Sequence, residues 1–389
     1  MAPPNVASAG DGVTRRPPIG AAGGVGSGRR GFTLLDVLVV LAIVGALIAA
    51  VAPITRNLRS GGLRTVSLKN LVVLGEAQAC YATDWADRQW SMAPRDFGTV
   101  NGNCQTYITS KSCPSQALLG WSVNGAMWGY YLGSSGLCGG SFGFPGNCSN
   151  IGVYRPLTFT GADAGFGAFR LPSLRGMQEY VGLKFYEKEW YSELDSVTWS
   201  TASQYFPMPD QFAYVSSIGM RPPVYCLSPA AMYHPEVLRR PSQGGFRSPD
   251  ANFADGYRAP SLDQCLHPEL KSRMVEHSWL VNPPSPTNPA FSDDEPWYFN
   301  HGIASRPGTL YFDGSVQEMT MKQAVADDES MQRSTGFVDG LWHRGTPFGA
   351  NGYFGAQSYD DTRNSFHILT TDGILGRDFL KRLPGRVFQ

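Results

Sequence analysis

Across 389 residues the chain carries 45 Gly and 28 Pro, nearly a fifth of its length, but only 16% charged residues. That composition excludes a coiled coil or a solvated acidic tail. Lys+Arg and Asp+Glu each number 32, so there is no global basic field to hold nucleic acid. With 42% hydrophobic residues, 17 Tyr, 21 Phe and 9 Trp, the chain can bury a large core in one or two domains with appendages.

Residues 1–31 hold Arg15, Arg16, Arg29 and Arg30 against Asp11 alone, among Gly, Ala, Pro, Val and Ser. Such a segment cannot offset its ordering entropy and is expected to be disordered. Without it 28 basic and 31 acidic residues remain, so the rest is mildly acidic. Gly26, Gly28 and Gly31 match the spacing of a dinucleotide-binding loop. No strand precedes them, and an apolar run rather than an ordinary soluble helix follows, so no cofactor is expected.

From Phe32 to Ile54 the only ionisable side chain is Asp36. As a helix, this stretch is roughly 33 Å long up to Pro53, against a hydrocarbon core of about 30 Å. Its fourteen Leu, Ile, Val and Phe residues, at roughly −0.3 to −0.6 kcal/mol each, outweigh one acid costing about 2.5 to 3.5 kcal/mol. Bilayer insertion is therefore the expectation. A buried helix of a soluble protein, a cleaved signal peptide ending at Ala50-Val51-Ala52, and a plain membrane anchor are the alternatives. The run is too long and too apolar on every face for the first, too long and followed by Pro53 for the second, and the third leaves the acid at its fifth position without a reason.

Arg29-Arg30-Gly31 followed by Phe32-Thr33-Leu34-Leu35-Asp36 resembles the class III signal of type IV prepilins and type II secretion pseudopilins. The resemblance implies cleavage between Gly31 and Phe32 by a membrane-embedded prepilin peptidase, with methylation of the new Phe32 amine. It also implies that Pro53 kinks the helix and that the leader stays inside; on charge alone the orientation nearly ties, because Arg56, Arg59, Arg64 and Lys69 follow the run. In the family a Glu stands where this chain has Asp36, and its carboxylate is thought to pair with a neighbouring subunit's N-terminal amine. Asp36 keeps the charge with a shorter reach. The alternative is an Asp that reaches the headgroups from near the helix end.

Beyond Pro53 the pattern turns amphipathic. Leu71, Leu74, Tyr81 and Trp85 share a stripe interrupted by Gln78. Gly61-Gly62 is a weak point, and the helix is expected to end near residue 90, before Pro94. Cys104, Cys113, Cys138 and Cys148 are spaced too widely for a zinc site. Outside the cytoplasm disulfides explain them, and Cys226 with Cys265 would form another, leaving Cys80 over; free thiols are the alternative, and spacing does not give connectivity. The aromatic-rich stretch 166–207 reads as short strands, 228–238 as a helix, and 243–260 as a loop.

Late in the chain, His301 and Asp313-Gly314 resemble the His and Asp-Gly motif of a large pilin-like family abundant in planctomycete bacteria, with a gap two residues longer than usual. Physically, residues 309–312 read as a strand, Asp313-Gly314 as a tight turn and 315–319 as the return strand. His301 reads as a structural histidine. The acidic clusters 293–295 and 327–329 lack the ligand spacing of a calcium loop and read as solvated surface. No nucleophile elbow, zinc-protease or phosphate-loop motif occurs, and the six histidines show no metal-ligand spacing.

The expected fold is α+β and pilin-like: a removed leader (1–31), a transmembrane and spine helix (32–91), and a mainly antiparallel β head (92–389) that includes the region 301–319. The expected function is a non-enzymatic pilin-like structural protein in the inner membrane, with its head periplasmic or extracellular. Its partners would be prepilin peptidase and other pilin-like subunits, with no nucleic acid, metal or cofactor. A monomeric membrane-tethered module whose aromatic-rich head binds a carbohydrate or other ligand is the alternative.

Overall fold

The computed structural model describes residues 33–111, 117–121, 127–130, 154–161, 164–208, 221–277, 306–357 and 364–382. Six α-helices are seen among them: α1 Leu34–Asp84, α2 Cys104–Ser110, α3 Arg175–Gln178, α4 Ser196–Ala202, α5 Met321–Thr335 and α6 Gly352–Gln357. Strands β1 Ala117–Trp121 and β2 Met127–Tyr130 pair with each other. Strands β3 Tyr225–Leu227, β4 Ser272–Glu276, β5 Gly308–Tyr311 and β6 Val316–Glu318 form an antiparallel sheet in chain order. The contacts divide the chain into two units, residues 1–56 and 57–389, so the boundary falls inside the expected 32–91 helical segment.

In the first unit the helix starts with a reciprocal cap. The Asp36 carboxylate accepts from the Thr33 backbone N–H at 2.9 Å and from its hydroxyl at 2.7 Å, while the Thr33 Oγ1 accepts from the Asp36 N–H at 3.2 Å. This is a capping box built with Asp in place of Glu, and it satisfies N-terminal donors that no helical carbonyl can reach. The large apolar side chains behind it are all exposed, from 45% at Val44 to 79% at Leu34. Helical backbone continues through Pro53, whose side chain lies outside the described residues.

The second unit is organised where the rest of α1 meets the sheet. Leu68, Leu71, Leu74, Gln78 and Tyr81 recur at three- and four-residue intervals and are all buried, which places them on one helical face. Gln78 thus belongs to the stripe rather than interrupting it, and its amide nitrogen lies 3.8 Å from the Met274 sulfur. Glycine permits the approach: a Cβ on Gly308 would stand 3.0 Å from Leu68 Cδ2 and 3.1 Å from Leu71 Cδ1. Beside the leucines, the Ser67 hydroxyl and the Gly308 N–H, the latter at 2.8 Å, both donate to Glu276, and Tyr225 bonds Ser67 at 2.7 Å. Burial pushes the Glu276 carboxyl above its usual range, and those two donors oppose the shift.

The architecture corrects the expectation of a pilin-like fold with a mainly β head. The four-stranded sheet has strands of only three to five residues, and short helices and 3-10 turns build most of what surrounds it. Among the described residues, no helix is long and apolar enough to cross a membrane. Where strands were expected in 166–207, the chain forms Ala168–Arg170, α3, Lys188–Trp190, α4 and Ser203–Tyr205. The reason is local capping together with aromatic anchoring. Asp195 accepts from the Thr198 N–H at 3.0 Å and starts α4, while buried Tyr186, Trp190 and Tyr191 hold the turns by packing rather than by ladder bonds. Residues 228–238 form two 3-10 turns, Pro229–Ala231 and Pro235–Val237, each opened by proline.

Helix α1 also ends earlier than expected, at Asp84. Ala86 and Asp87 both take positive φ, 56° and 60°, and the Asp87 N–H reaches back to the Ala82 carbonyl at 2.7 Å. This is a Schellman-type stop with alanine in the place usually held by glycine. The reversal is held from outside: the Leu262 N–H donates to the Asp87 carbonyl at 2.8 Å, and the Gln89 N–H to Pro260 at 2.9 Å. Trp85, expected on the buried stripe, is 58% exposed as a result.

The cysteine expectation is corrected as well. Cys226 and Cys265 are free thiols. Cys226 lies inside β3 opposite Val275 and is fully buried, so its strand register, not a bridge partner, decides what it faces. Cys80 is free and exposed. The side chain of Cys104 and all of Cys113, Cys138 and Cys148 lie outside the described residues.

The seam between α1 and the sheet makes a direct prediction. Leu71→Ala should destabilise the full chain by about 2–5 kcal/mol, measured by urea denaturation in detergent, whereas the exposed Val66→Ala should change stability by about 0.5 kcal/mol or less. Equal costs at the two positions would mean that the helix does not pack through this stripe.

Candidate functional site

Three places in the second unit gather chemistry-bearing side chains. The first is the β5–β6 hairpin. The Gly314 N–H donates to the Tyr311 carbonyl at 3.1 Å and the Tyr311 N–H to Ser315 at 2.9 Å, with Gly314 at φ +83°. This is a three-residue loop closed by a left-handed glycine. Asp313 accepts from the Ser315 N–H at 3.0 Å and from its hydroxyl at 2.6 Å, and its other oxygen pairs with Arg382. Its carboxylate is therefore occupied in shaping the turn. His301, the other half of the motif, lies outside the described residues, as do Gly31 and Phe32.

The second is a polar cluster closed to solvent, whose members no local pattern in the sequence announced. Lys271 Nζ donates to Asp378 at 2.9 Å, Thr370 at 2.9 Å and Ser228 at 2.8 Å, and both members of the ion pair are buried. Ser272 Oγ donates to Asp378 at 2.5 Å and lies 2.7 Å from His367 Nδ1. A serine, a histidine and an aspartate meet here, but not in the order of a nucleophilic triad: the carboxylate holds the serine and the lysine, not the histidine. Burial, with Lys271 adding its charge, pushes the His367 imidazole down to about 3. Burial raises the Asp378 carboxyl, yet Lys271, His367 and its hydroxyl donors outweigh that and hold it below the usual range. A buried pair satisfied to this degree ties β4 to the C-terminal segment, and removing either partner would strand a charge.

Asp328 plays a similar part in α5. It is buried and accepts from the Leu341 N–H at 2.7 Å while pairing with Arg344. Asp327, also buried, takes the Leu380 N–H at 2.9 Å. The cluster 327–329 is thus corrected from solvated surface to an anchor for Leu341, Arg344 and Leu380, with only Glu329 facing solvent beside Arg333. The 293–295 cluster lies outside the described residues. Among the described residues, no group of three His, Cys, Asp or Glu side chains could hold a metal ion.

The third place is open to solvent. A cleft of about 580 Å³ lies where α1 ends, lined by Tyr81, Asp84, Trp85, Arg88, Gln89, Arg95 and Arg258 among others. Trp85 stacks on Tyr81 with centroids 5.7 Å apart and planes at 17°, and Tyr180 meets Tyr81 edge-on at 5.7 Å. Arg88 donates to the Ala259 carbonyl at 2.6 Å. Burial lowers its guanidinium, and the positive charges of Arg258 and Arg95 add to that, against Asp263. A smaller hollow of about 180 Å³, lined by His234, Ser261 and Gln264, shares Arg88 and Arg258 with the cleft. Elsewhere, a hollow of about 370 Å³ beside α5 has Arg240 and Asp372 on its wall, but these pair with each other.

Comparison with known protein families, curated proteins and solved structures gives no match for this chain.

The closed cluster predicts how stability responds to acid. His367 and His277 are both held neutral in the fold, the latter by burial and then by Arg170 and His367, whereas the unfolded chain protonates them below the ordinary value of 6.5. Stability should be level above that pH and fall as pH drops from about 6.5 towards about 3, by up to about 1.4 kcal/mol per pH unit per histidine. Urea midpoints of the full chain at a series of pH values measure the slope. His367→Asn, which tolerates the φ of +67° at that position, should make it shallower; an unchanged slope would assign the proton uptake to other groups.

Proposed function

We propose that this chain is a non-enzymatic, extracytoplasmic protein processed by a prepilin-type peptidase between Gly31 and Phe32 and held in the inner membrane by the apolar segment that begins at Phe32. The observation that carries this reading is the apolar surface of the helix behind Asp36, where every large side chain described from Val37 to Ile48 is exposed. Such a surface is unstable in water and needs lipid or other apolar helices around it. The run extends beyond the described side chains, starting at Phe32 and reaching Ile54. The Arg29-Arg30-Gly31-Phe32 junction and the acid at Asp36 supply the resemblance to prepilins.

Within this reading two roles for the mature protein differ in what Asp36 does. As a subunit of a fibre or pseudopilus, it would offer the carboxylate to a neighbour's N-terminal amine. As a membrane-tethered binding module, it would need Asp36 only to begin the helix. In the Thr33–Asp36 capping box both donors reach one carboxylate oxygen, Oδ2, an arrangement open to either role. The cleft beside Trp85 supports the second role, as a place for a ligand.

Mass spectrometry of the membrane-extracted protein should find Phe32 as the N-terminus in the wild type and residue 1 or 2 in Gly31→Leu; normal trimming of the variant would defeat the processing proposal. Asp36→Ala should leave any filaments shed by shearing unchanged in amount if the protein is a tethered module. Their loss, seen by electron microscopy with an antibody to the head, would restore the fibre role.

A further inference from the structure

The cleft at the end of α1 has a composition that its structural role does not require. Trp85 is stacked on Tyr81, which Tyr180 meets edge-on, and Trp85 is still 58% exposed. A tryptophan kept in water by a strained helix stop is an apolar platform. Around it stand Arg88, Arg95 and Arg258. Among the described residues, none of the three has a carboxylate within salt-bridge distance, although Asp96 and Lys111 pair nearby at 3.4 Å. Three guanidiniums gathered at one rim outnumber the single carboxylate that lines the cleft, Asp84, and favour an anion.

Gln89 supplies an independent sign. It lines the cleft, is 1% exposed, and its Nε2 amide has no hydrogen-bond partner among the described residues, while its Oε1 accepts from Arg273 at 3.3 Å. A buried amide donor left unpaired costs about 1–3 kcal/mol, which an acceptor brought by a ligand would recover. Asp84, on the same wall, accepts from the Tyr180 hydroxyl at 2.9 Å and is itself exposed, so it can take further hydroxyl donors.

We infer that this cleft binds an acidic oligosaccharide, with a uronate-bearing pyranose ring stacked on Trp85, its carboxylate on the arginines and its hydroxyls between Asp84 and Gln89. A pyranose has an apolar C–H face to lay on an indole, hydroxyls that both donate and accept, and a single charge matched by forked guanidinium donors. A phosphorylated ligand fits less well, because its higher charge would sit against Asp84. The smaller hollow beyond Arg88 and Arg258 extends the trough, so a second sugar unit can share the same two cations. This inference develops the ligand-binding role proposed above and does not depend on processing at Gly31.

The test uses the full chain in detergent, with or without its leader, titrated with oligogalacturonates while tryptophan fluorescence and calorimetric heat are followed. Saturable binding is expected, weakened about tenfold or more by Trp85→Ala and by the Arg95→Gln, Arg258→Gln double variant. Affinity should fall as ionic strength rises from about 0.05 to about 0.5 M. Circular dichroism should show both variants folded, as expected for substitutions away from the core, and Trp85→Phe should keep part of the affinity. No binding by the wild type, equal binding by the variants, equal binding of a neutral oligosaccharide, or tighter binding of ADP or polyglutamate would each overturn the inference. Loss of binding together with normal trimming at Phe32 would reject the ligand and leave the anchoring proposal intact.

Discussion

The face that α1 turns to the sheet is the constraint on which the larger unit depends. Leu68 and Leu71 can reach β5 only because Gly308 carries no side chain, and Ser67 fixes the height of contact through Glu276 and Tyr225. Apolar burial provides the stabilisation, roughly 1.5–3 kcal/mol for each large side chain. The buried polar bonds add less net energy but specify register, since a slip of one residue would leave Glu276 without its donors. The strand behind this contact, β4, is buried along its whole length. Its polar residues therefore all find partners: Ser272 with Asp378, Arg273 with Gln89, and Glu276 with Ser67.

That arrangement explains how a head with so little sheet can hold together. Strands of three to five residues cannot form a sandwich core, so aromatic side chains take over the filling. Tyr186 stacks on Tyr191 at 5.8 Å and on Tyr205 at 4.9 Å, and His277, Tyr353 and Phe354 form a second group. Large flat rings fill space between irregular turns at small entropic cost. The Lys271–Asp378 pair and Asp328 with Arg344 then tie the C-terminal segments to this core.

The two units carry different demands. Asp36 caps its own helix, and the described apolar side chains behind it face outward, so this stretch of helix offers its apolar surface to a partner phase rather than to a core of its own. The second unit buries most of its described large side chains and leaves Trp85 exposed at one edge, with exposed Arg95 and half-buried Arg88 and Arg258 around it. The strain that exposes Trp85, two consecutive residues with positive φ and no glycine, is sustained by the segment 260–263 bonded across it. Cleft and helix stop are thus one structure, and a change at Ala86 or Asp87 would move the platform.

Some of this was legible from the chain alone. The apolar run 32–54, the stripe of Leu71, Leu74 and Tyr81, and the turn at Asp313-Gly314 depend on residues within a few positions of each other, so spacing and turn chemistry suffice to find them. The reading failed where partners come from afar. Aromatic spacing in 166–207 suggested strands, but capping and core packing made turns. Cys226 and Cys265 looked like a pair until strand register placed Cys226 against the core. Trp85 looked buried until Leu262, far along the chain, bonded Asp87 and turned the helix aside. Lys271 lies about a hundred residues from His367 and Asp378, and Arg88 lies still farther from Arg258. Local periodicity carries no information about which distant groups will meet; only the packed tertiary structure, in which most buried polar atoms find a partner, decides that.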